Sequence, residues 1–339
     1  MINFQPHEAT ALADCRARIP AQRIAADTAA LAAHISEGRT DAITALITEG
    51  LARFGQPYPL LLAIAGLPAL AERCQHLGLP ETQYQGALAD IRRWTDTYSS
   101  YSEGAVGLPH PSWIARILTA RIYHLGALQV EERACTLPYR IYRSQSEGLV
   151  AFAEGGLALD SRGYVTATDQ GVATTEYTEN QNTIIAHRVA IDEGTVSLES
   201  ETIAHAALTF VAGRGTPMLY THIPARTDLS AEAVDASFSA AQAVFGENSH
   251  FFTVTWLVDP ALAAVTDSGS KIRSFMERFA KFSLDIPEVQ LYEKVFAPGF
   301  TPEMILAAQS KTSLQKRVQD ALRRGVRFRT TGGYLVPKC

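Results

Sequence analysis

A helix flanked by two short apolar runs, within residues 219–260, constrains the fold of this chain more than any other segment. The helix is predicted by an apolar stripe at i, i+4, i+7 and i+11 spacing, formed by Val234, Phe238, Ala241 and Phe245. Ser230 before it is a typical N-cap residue and Gly246 after it a typical C-cap residue. The second run, 251–258, is apolar on both faces and too short and β-rich for a helix, which predicts a strand in the middle of a sheet.

Each apolar run ends in a polar residue that is closely followed by a proline. His222 stands two positions before Pro224, and Asp259 directly precedes Pro260. In an open sheet with parallel strands, ligands bind beyond the carboxyl ends of the strands. The sequence therefore places a histidine and an aspartate where the chemistry of such folds usually takes place.

The rest of the chain is expected to divide into a helical part and a β-rich part. Helices are predicted over 25–36 and 40–54, from Pro80 onward, and over 113–123 with Gly126 as its C-cap, with a loop over 98–111. Strands are predicted at 137–143, 149–159 and 189–198, followed by a helix over 269–282, a strand over 289–296, a helix over 312–324 and a last strand to Val336. The predicted fold class is α+β, with a helical N-terminal domain, residues 1–130, followed by a mixed β-sheet domain with packed helices, residues 131–339.

The composition excludes several classes of protein. The 339 residues carry a net charge of −5 and 19% charged residues, as in ordinary soluble globular proteins, which argues against a nucleic-acid-binding surface. The cysteines, Cys15, Cys74, Cys135 and Cys339, form no C-x-x-C pair, which favours a reducing cytosol over a disulfide framework or a zinc site. The longest apolar run, 59–70, contains Gly66 and Pro68 and is too short to span a bilayer. Since the first residues do not resemble a signal peptide either, we expect a cytoplasmic protein.

A series of short motifs along most of the chain resembles a known family. In the N-terminal half the motifs are Leu79-Pro80, Asp90-Ile91 with Trp94, Gly107-Leu108, Trp113, and Leu125-Gly126-Ala127-Leu128-Gln129 with Glu131. In the C-terminal half they are His222-Ile223-Pro224, Ser237, Trp256-Leu257-Val258-Asp259-Pro260, Ser270-Lys271-Ile272 with Phe275, Val295-Phe296, and Thr312-Ser313-Leu314-Gln315 with Gly325. Taken in this order, they resemble bacterial acyltransferase-domain proteins that pair a helical N-terminal domain with a GNAT-like C-terminal domain. Ala127 and Lys271 depart from the arginine and asparagine that are usual in the family.

The resemblance implies a GNAT-type sheet and an acyl donor carried on coenzyme A, acetyl-CoA or another acyl-CoA, as co-substrate. The implied reaction is acyl transfer to a small-molecule acceptor, expected to be an amine, bound between the domains. Such a reaction needs N–H donors for the diphosphate of CoA, a base for the amine proton and an acid for the leaving thiolate. The resemblance supplies no catalytic residue.

The best candidate for the diphosphate site is the segment Ser268, Gly269, Ser270, Lys271, Ile272 and Arg273, which follows the predicted buried strand and opens a helix. N–H groups at helix starts bind anions, Gly269 permits close backbone approach, and Lys271 and Arg273 add positive charge. The alternative is a capped helix with Ile272, Phe275, Met276 and Phe279 as its core face. Trp256 is a candidate wall of the acyl pocket, with a core position on the central strand as the favoured interpretation.

His222 is the preferred general base, because histidine titrates near neutral pH and a strand end can aim the ring at a cleft. Its alternative is a core histidine bonded to a backbone carbonyl. Asp259 is a reserve base, with capping of the next turn as the favoured role. Glu131 is a second reserve base, and its favoured alternative is a solvated glutamate beside Glu132 and Arg133.

A function from a different class stays open at this point, namely a catalytically inactive GNAT-like module that binds a ligand or serves as a scaffold. The glycine-poor segment 268–273 favours the module, whereas His222 and Asp259 at strand ends favour the enzyme. No metal is expected, because the other histidines show no metal-ligand spacing, among them His187, His205 and His250.

Overall fold

The chain forms two compact units in the computed structural model, which describes Ile2 and residues 4–336. One unit contains the residues up to Leu125 together with Gln129–Glu131, and the other contains residues 126–128 and those from Glu132 onward. The boundary predicted near residue 130 thus falls where residues of the two units alternate along the chain. Cys339 lies outside the described residues, whereas the other three cysteines are buried thiols that form no disulfide.

The N-terminal unit is mainly helical, as predicted. Its elements are α1 (Pro6–Ala17), α2 (Ala21–Glu37), α3 (Thr40–Phe54), α4 (Pro57–His76), α5 (Glu81–Tyr101), α6 (Pro111–Leu118) and the short strand β1 (Tyr123–Leu125). The helices bury an apolar face in one core, with Leu31, Ile35, Ile43 and Ile47 at its centre. Tyr58 packs directly over Gly50, where a Cβ atom would lie 1.9 Å from the tyrosine ring, and its hydroxyl donates to Asp27 at 2.7 Å.

Helix α4 runs without a break through the apolar segment 59–70, although the segment contains Gly66 and Pro68. Gly66 allows α2 to approach closely, because a Cβ atom there would lie 2.8 Å from Leu31 Cδ2 and 2.9 Å from Ile35 Cδ1. Pro68 removes one helical hydrogen bond, and the burial of the apolar side chains of α4 outweighs that loss. None of the helices in the described residues is both long and apolar enough to cross a membrane.

The helix predicted over 113–123 is wrong in its second half. Helix α6 ends at Leu118, Ala120 adopts a positive φ of 56°, and Tyr123 begins β1. Gly126 therefore lies in the turn between β1 and the next strand, β2 (Leu128–Ala134), with a φ of 68°, and caps no helix. The loop predicted over 98–111 is also shorter, since α5 continues to Tyr101.

The C-terminal unit contains an antiparallel sheet formed by the first half of its sequence. Its strands, with two short ones that pair separately, are β3 (Tyr139–Ser144), β4 (Gly148–Ala153), β5 (Ala158–Leu159), β6 (Ala173–Thr174), β7 (Tyr177–Glu179), β8 (Thr183–Ala190), β9 (Thr195–Ala204) and β10 (Leu208–Gly213). Their order is β10-β3-β4-β8-β7, β9 also pairs with β8, and β5 pairs with β6. The strand predicted over 189–198 spans the turn between β8 and β9, where Gly194 with a φ of 72° reverses the chain.

The second half of the unit forms a mixed sheet with helices. Its elements are β11 (Pro217–His222), α7 (Ala231–Phe245), β12 (Phe251–Thr255), α8 (Lys271–Met276), β13 (Phe279–Phe282), α9 (Gln290–Val295), α10 (Pro302–Ala307), α11 (Ser313–Arg323) and β14 (Thr331–Leu335). The strand order is β11-β12-β14-β13. β11 and β12 run parallel, and β14 is antiparallel to both of its neighbours. Helix α7 has the predicted boundaries.

Three predicted elements differ from the structure. The strand over 251–258 ends at Thr255, whose hydroxyl accepts a hydrogen bond from the Leu257 N–H and starts a 3-10 turn. The helix over 269–282 is α8 followed by strand β13, which pairs with β14. The strand over 289–296 is helix α9, which packs into a core cluster with α8, α10 and α11. Short apolar runs do not distinguish a strand from a buried helical turn, which explains these errors.

The mixed sheet is covered on both faces. On one face Phe252 and Phe282 pack into the core formed with the antiparallel sheet, and the rings of Phe282 and Tyr139 lie 4.7 Å apart. On the other face Phe238 of α7 packs against Phe251, with 4.9 Å between the ring centroids. Because both faces are covered, the edge formed by the strand ends is the place where this sheet can meet a ligand.

Candidate functional site

The carboxyl ends of β11, β12 and β13 and the start of β14 lie at the same end of the mixed sheet. This end, where the strands stop, is termed the site edge. β11 is parallel to β12, so both strands end there. β14 runs the opposite way, with Thr331 at its start opposite Thr255 at the end of β12, and β13 ends beside the same part of β14. The predicted strand-end residues His222 and Asp259 therefore belong to one edge.

The parallel strands β11 and β12 pair over only a short distance. Their backbone register covers Leu219 opposite Phe251 and Tyr220 opposite Phe252. Further along, the Tyr220 hydroxyl accepts a hydrogen bond from the Val254 N–H and donates one to the Val254 carbonyl, both at 3.1 Å. A side chain thus takes the place of the β11 backbone, and the two strands separate towards the edge.

A buried hydroxyl lies beside this separation. Thr253 donates from Oγ1 to the carbonyl of Thr221 at 3.0 Å. The Oγ1 of Thr221 is itself fully buried and makes no hydrogen bond within the described residues. A buried polar atom that lacks a partner costs free energy, so a polar group of a ligand would be stabilised at this place.

His222 is the last residue of β11 and is half-buried. Its ring lies 4.5 Å from the ring of Tyr220, measured between centroids, and the guanidinium carbon of Arg133 lies 4.9 Å from the Tyr220 centroid. The imidazole is therefore held against an aromatic ring at the edge where the two strands separate. An imidazole has one ring nitrogen that can accept a proton and one that can donate a proton.

Asp259 is buried, and both of its carboxylate oxygens accept backbone hydrogen bonds. Oδ1 accepts from the Ala261 N–H at 3.0 Å, and Oδ2 accepts from the Arg329 N–H at 2.6 Å. Burial raises the pKa of Asp259 to about 6, against the opposing effect of these hydrogen bonds and of the Arg329 charge. The carboxylate caps the following 3-10 turn and fastens the segment that leads into β14, in agreement with the favoured capping role.

Glu131 belongs to the N-terminal unit and is 3% exposed. One carboxylate oxygen lies 3.3 Å from Nη1 of Arg116, and the other lies 3.6 Å from Nε of Arg121. The interpretation of Glu131 as a solvated glutamate is therefore wrong, because two arginines compensate its charge in a buried position.

The segment 268–273 opens helix α8, which is only six residues long. Ser270 caps the helix by accepting from the Arg273 N–H at 3.2 Å, and the Arg273 side chain pairs with Glu277 at 2.7 Å. Ser268 and Gly269 are exposed, and Ile272 packs against the helical core cluster. Of the predicted helical core face, Phe279 lies instead in β13.

The start of α7 lies next to this segment, a feature that the sequence patterns did not reveal. Nζ of Lys271 lies 2.7 Å from Asp228, in the loop that leads from β11 to α7. Ser230 has the residue type of an ordinary N-cap, but its hydroxyl donates to Asp228 and caps no N–H group of α7. The first turn of α7 therefore has no side-chain cap, in contrast to that of α8.

Trp256 lies in the 3-10 turn after β12, and not on a face of the central strand as predicted. Its backbone N–H donates to Oε1 of Gln290 at 3.3 Å. The indole packs against the core cluster that joins α8, α9, α10 and α11. These surroundings agree with a core position.

No three or more His, Cys, Asp or Glu side chains in the described residues are grouped so as to hold a metal ion. A groove of about 470 Å³ lies in the N-terminal unit and is lined mostly by apolar residues such as Ile24, Tyr58 and Leu61. No predicted site residue lines it.

Comparison with known proteins identifies the C-terminal part of the chain. A family model described as the GNAT-like C-terminal domain matches residues 122–335. Among proteins with curated descriptions, none matches the sequence.

Solved structures share the fold at low sequence identity. An acyltransferase variant in complex with octanoyl-CoA has a TM-score of 0.59 and 15% identity, over 99% of this chain and 85% of that chain. An acyltransferase in complex with decanoyl-CoA and teicoplanin has a TM-score of 0.58 and 16% identity, over 98% and 84% of the two chains. An acyltransferase in complex with decanoyl-CoA has a TM-score of 0.51 and 18% identity. The match covers 82% of this chain and only 65% of the length of that chain.

Proposed function

The chain belongs to the family of proteins with a GNAT-like C-terminal domain, and from this premise we propose that it transfers an acyl group from acyl-CoA to an amine. The fold is that of a GNAT-like acyltransferase. The structural relatives whose descriptions name octanoyl-CoA and decanoyl-CoA support a CoA thioester as the donor. The acceptor and its amine are part of the proposal.

The observation that carries the proposal is the separation of β11 and β12 beside the buried Thr221 hydroxyl. The pantetheine arm of CoA is a narrow chain with two amide groups. An amide of this arm placed between the strands would complete the hydrogen bonding of Thr221. The thioester would then lie at the edge that carries His222.

The diphosphate of CoA is proposed to bind at the first turn of α7. Its N–H groups have no side-chain cap, and a helix N-terminus attracts anions. Lys271 in the segment 268–273 reaches this place through its ion pair with Asp228, and its ammonium group would exchange that carboxylate for the diphosphate when CoA binds. The N–H of Arg273 at the start of α8 already has Ser270 as its partner. We therefore assign the backbone contacts to α7 and a charged contact to Lys271.

His222 is proposed as the general base. The amine nitrogen attacks the thioester carbonyl carbon, a C–N bond forms, the C–S bond breaks, and the amine proton passes to the imidazole. The CoA thiolate leaves and takes up a proton. Asp259 and Glu131 are assigned structural roles, because backbone N–H groups and arginines already engage their carboxylates.

Replacement of Ala231 by proline tests the diphosphate site, because it removes one N–H group from the first turn of α7. Ser230 has a φ of −59° and a ψ of 151°, which a following proline accepts, and proline is well tolerated at this helix position. We expect Ala231→Pro to bind octanoyl-CoA about tenfold more weakly in a calorimetric titration, the effect of one hydrogen bond to a charged group. Ala21→Pro, at the start of α2 after Pro20 with a ψ of 134°, is the matched control and should bind normally.

Gly269→Leu tests the competing site at the start of α8. A Cβ atom at Gly269 would have no atom within 4 Å, so the fold should tolerate the change. Weaker binding by Gly269→Leu together with normal binding by Ala231→Pro would move the diphosphate to 268–272. Normal binding by both variants would reject the diphosphate contacts proposed here.

A second candidate function is the binding of acyl-CoA without transfer. It is favoured because backbone N–H groups bind Asp259 and arginines pair with Glu131. His222 is then the single proposed base, with no second candidate to replace it. Thermal stabilisation by octanoyl-CoA, with neither CoA release nor an acylated amine in a panel of primary amines, would support the binding module. CoA release that depends on an added amine would support the enzyme.

A further inference from the structure

Two arginines approach the ring of Tyr164 at the site edge of the mixed sheet. The guanidinium carbon of Arg329 lies 3.6 Å from the Tyr164 ring centroid, and that of Arg162 lies 5.3 Å from it. Arg329 thus lies close against the ring, where the cation and the π-electrons attract each other. Neither arginine figures in the acyl-CoA contacts proposed above.

The position of Tyr164 is fixed by a tight turn. Oδ1 of Asp160 accepts the N–H groups of Arg162 and Tyr164 at 2.9 and 3.1 Å. Gly163 has a φ of 82°, and a Cβ atom there would lie 2.2 Å from the Val196 carbonyl oxygen. These contacts fix the backbone that carries the Tyr164 ring.

The turn is also tied to the end of β13. The N–H of Val165 donates to Oγ of Ser283 at 3.1 Å, and the residue lies in the core shared by the two sheets. Ser283 directly follows β13, which ends at the edge where β12 ends. Arg329 lies in the segment just before β14, the strand that runs antiparallel to β13.

The charge of Arg329 is not neutralised by an ion pair. Arg162 pairs with Asp160 at 3.3 Å, whereas no carboxylate of the described residues pairs with the Arg329 guanidinium. Its side-chain hydrogen bond, at 3.4 Å, is to the carbonyl of Arg327. Burial lowers the pKa of Arg329, with Tyr164, Asp259 and Asp160 acting against the decrease, and an arginine still stays charged. A partly buried cation of this kind is stabilised when an anion binds to it.

The backbone of Arg329 is linked to the site edge through Asp259. Its backbone N–H donates to Oδ2 of Asp259, which follows the end of β12. β12 is the parallel neighbour of β11, which ends in His222. The backbone of Arg329 therefore belongs to the same edge as the proposed base, and its side chain, like that of Tyr164, projects from an anchored backbone.

We propose that Arg329, held against Tyr164, binds an anionic group of the acyl acceptor, a carboxylate or a phosphate. The planar guanidinium presents two parallel N–H groups that match the oxygens of either anion. The acceptor is then an amine that also carries an acid group, and Arg329 sets its orientation towards His222. That the anionic group belongs to the acyl acceptor rests on the proposed function, whereas the anion site itself does not.

The test is a calorimetric titration of the full chain with succinate and, separately, with inorganic phosphate. Arg329→Gln removes the guanidinium, and Arg327→Gln, at an exposed arginine two positions earlier, is the matched control with the same change in charge. We expect the wild type to bind one of the two anions in the millimolar range. Arg329→Gln should weaken this binding about tenfold or more, and Arg327→Gln should leave it within about twofold of the wild type.

Two results would overturn the site, namely no binding of either anion to the wild type, or equal losses in both variants. Arg329→Lys keeps the charge but not the paired N–H groups, and an intermediate affinity is expected. This variant also tests the proposal in case Arg329→Gln does not fold, which circular dichroism would show. Full affinity in Arg329→Lys would reduce the site to a point charge and reject the paired contact.

A third arm identifies the source of the anion. Succinate or phosphate is titrated again in the presence of saturating CoA, and CoA is compared with 3′-dephospho-CoA in the Arg329→Gln variant. We expect the small anion to bind equally well beside CoA, and the variant to bind both forms of CoA as the wild type does. Displacement of the anion by CoA would assign Arg329 to the cofactor's phosphate and contradict the acceptor role. If CoA does not bind at all, the proposed function fails while the anion titration without CoA still decides the site.

Discussion

The hydroxyl of Tyr220 lies 3.1 Å from both the backbone nitrogen and the backbone oxygen of Val254. A tyrosine on β11 thereby satisfies both backbone groups of a residue on the neighbouring parallel strand. This contact lets β11 and β12 separate at the site edge without leaving the polar groups of Val254 unpaired.

Tyr220→Phe should therefore loosen this end of the sheet. Loss of the hydroxyl leaves two backbone groups without their partner, so we expect the free energy of unfolding to fall by about 1–3 kcal/mol in a urea titration. Tyr334→Phe is the matched control, since its hydroxyl bonds a side chain, His250 Nδ1, at 2.8 Å. A larger loss of unfolding free energy for Tyr334→Phe than for Tyr220→Phe would contradict the role given to Tyr220.

His222→Gln should lower the turnover number by about two to four orders of magnitude, the usual contribution of a general base. The affinity for acyl-CoA should change little, because the diphosphate and pantetheine contacts proposed above do not involve the imidazole. Initial rates and calorimetric titration measure the two quantities. A variant that melts early but keeps its rate per folded molecule would make His222 a core residue and leave the base unassigned.

Asp259 should make stability depend on pH in an unusual direction for a carboxylate. Its pKa rises from the ordinary value of 3.8 to about 6 on folding, so the folded state holds the proton more tightly than the unfolded state. The resulting stabilisation is fully present below about pH 4 and is lost as the pH rises through about 6. A rise of this size corresponds to about 3 kcal/mol. Relative to Asp259→Asn, the wild type should therefore lose about this much unfolding free energy between pH 4 and pH 7, as measured by urea denaturation, and a flat difference would refute the raised pKa.

Gly163→Ala should strongly destabilise the C-terminal unit. A Cβ atom would be placed 2.2 Å from the Val196 carbonyl oxygen, at a φ of 82° that alanine rarely adopts. We expect a loss of about 3 kcal/mol or more in unfolding free energy, because a rigid backbone atom has to move. Gly156→Ala, with a φ of 90° and no atom within 4 Å, isolates the backbone strain and should cost about 1–2 kcal/mol. Equal losses of unfolding free energy would show that the Val196 carbonyl moves away from the new Cβ atom at no added cost.

Glu131→Gln should destabilise the protein by about 2 kcal/mol or more, because it leaves Arg116 and Arg121 without the buried carboxylate that compensates them. Glu132→Gln, at an exposed position next to it, should change stability by less than about 0.5 kcal/mol. Thermal melts and rates per folded molecule are measured together. A large loss of rate without a loss of stability in Glu131→Gln would restore Glu131 as a catalytic candidate.

The elements that the sequence predicted well carry strong local signals. Helix α7 has a complete apolar stripe and boundary residues at both ends, and the following strand β12 consists of β-branched and aromatic residues. Helix α9 and the α8–β13 segment were mispredicted because a short segment of interspersed apolar and polar residues fits either a strand or a buried helical turn. Tertiary contacts with β14 and with the helical cluster decide between them.

The site was predictable only in part, for a similar reason. The placement of His222 at the end of β11 followed from the local pattern. The bridge from Tyr220 to Val254, the ion pair of Lys271 with Asp228 and the stacking of Arg329 on Tyr164 join residues far apart in the sequence. No local pattern encodes such pairings, and residues 160–164 carry no recognisable motif.

The turn around Tyr164 has a consequence for how proteins of this architecture diversify. The Asp160 carboxylate and Gly163 set the shape of residues 160–164, whereas the tie to the mixed sheet runs through the backbone N–H of Val165, which lies outside these five residues. Evolution can therefore replace the ring that faces Arg329 by exchanging five consecutive residues, while the strands that form the scaffold remain under separate selection. Descendants of one ancestral sheet would then differ in the surface beside Arg329 and still share a common core.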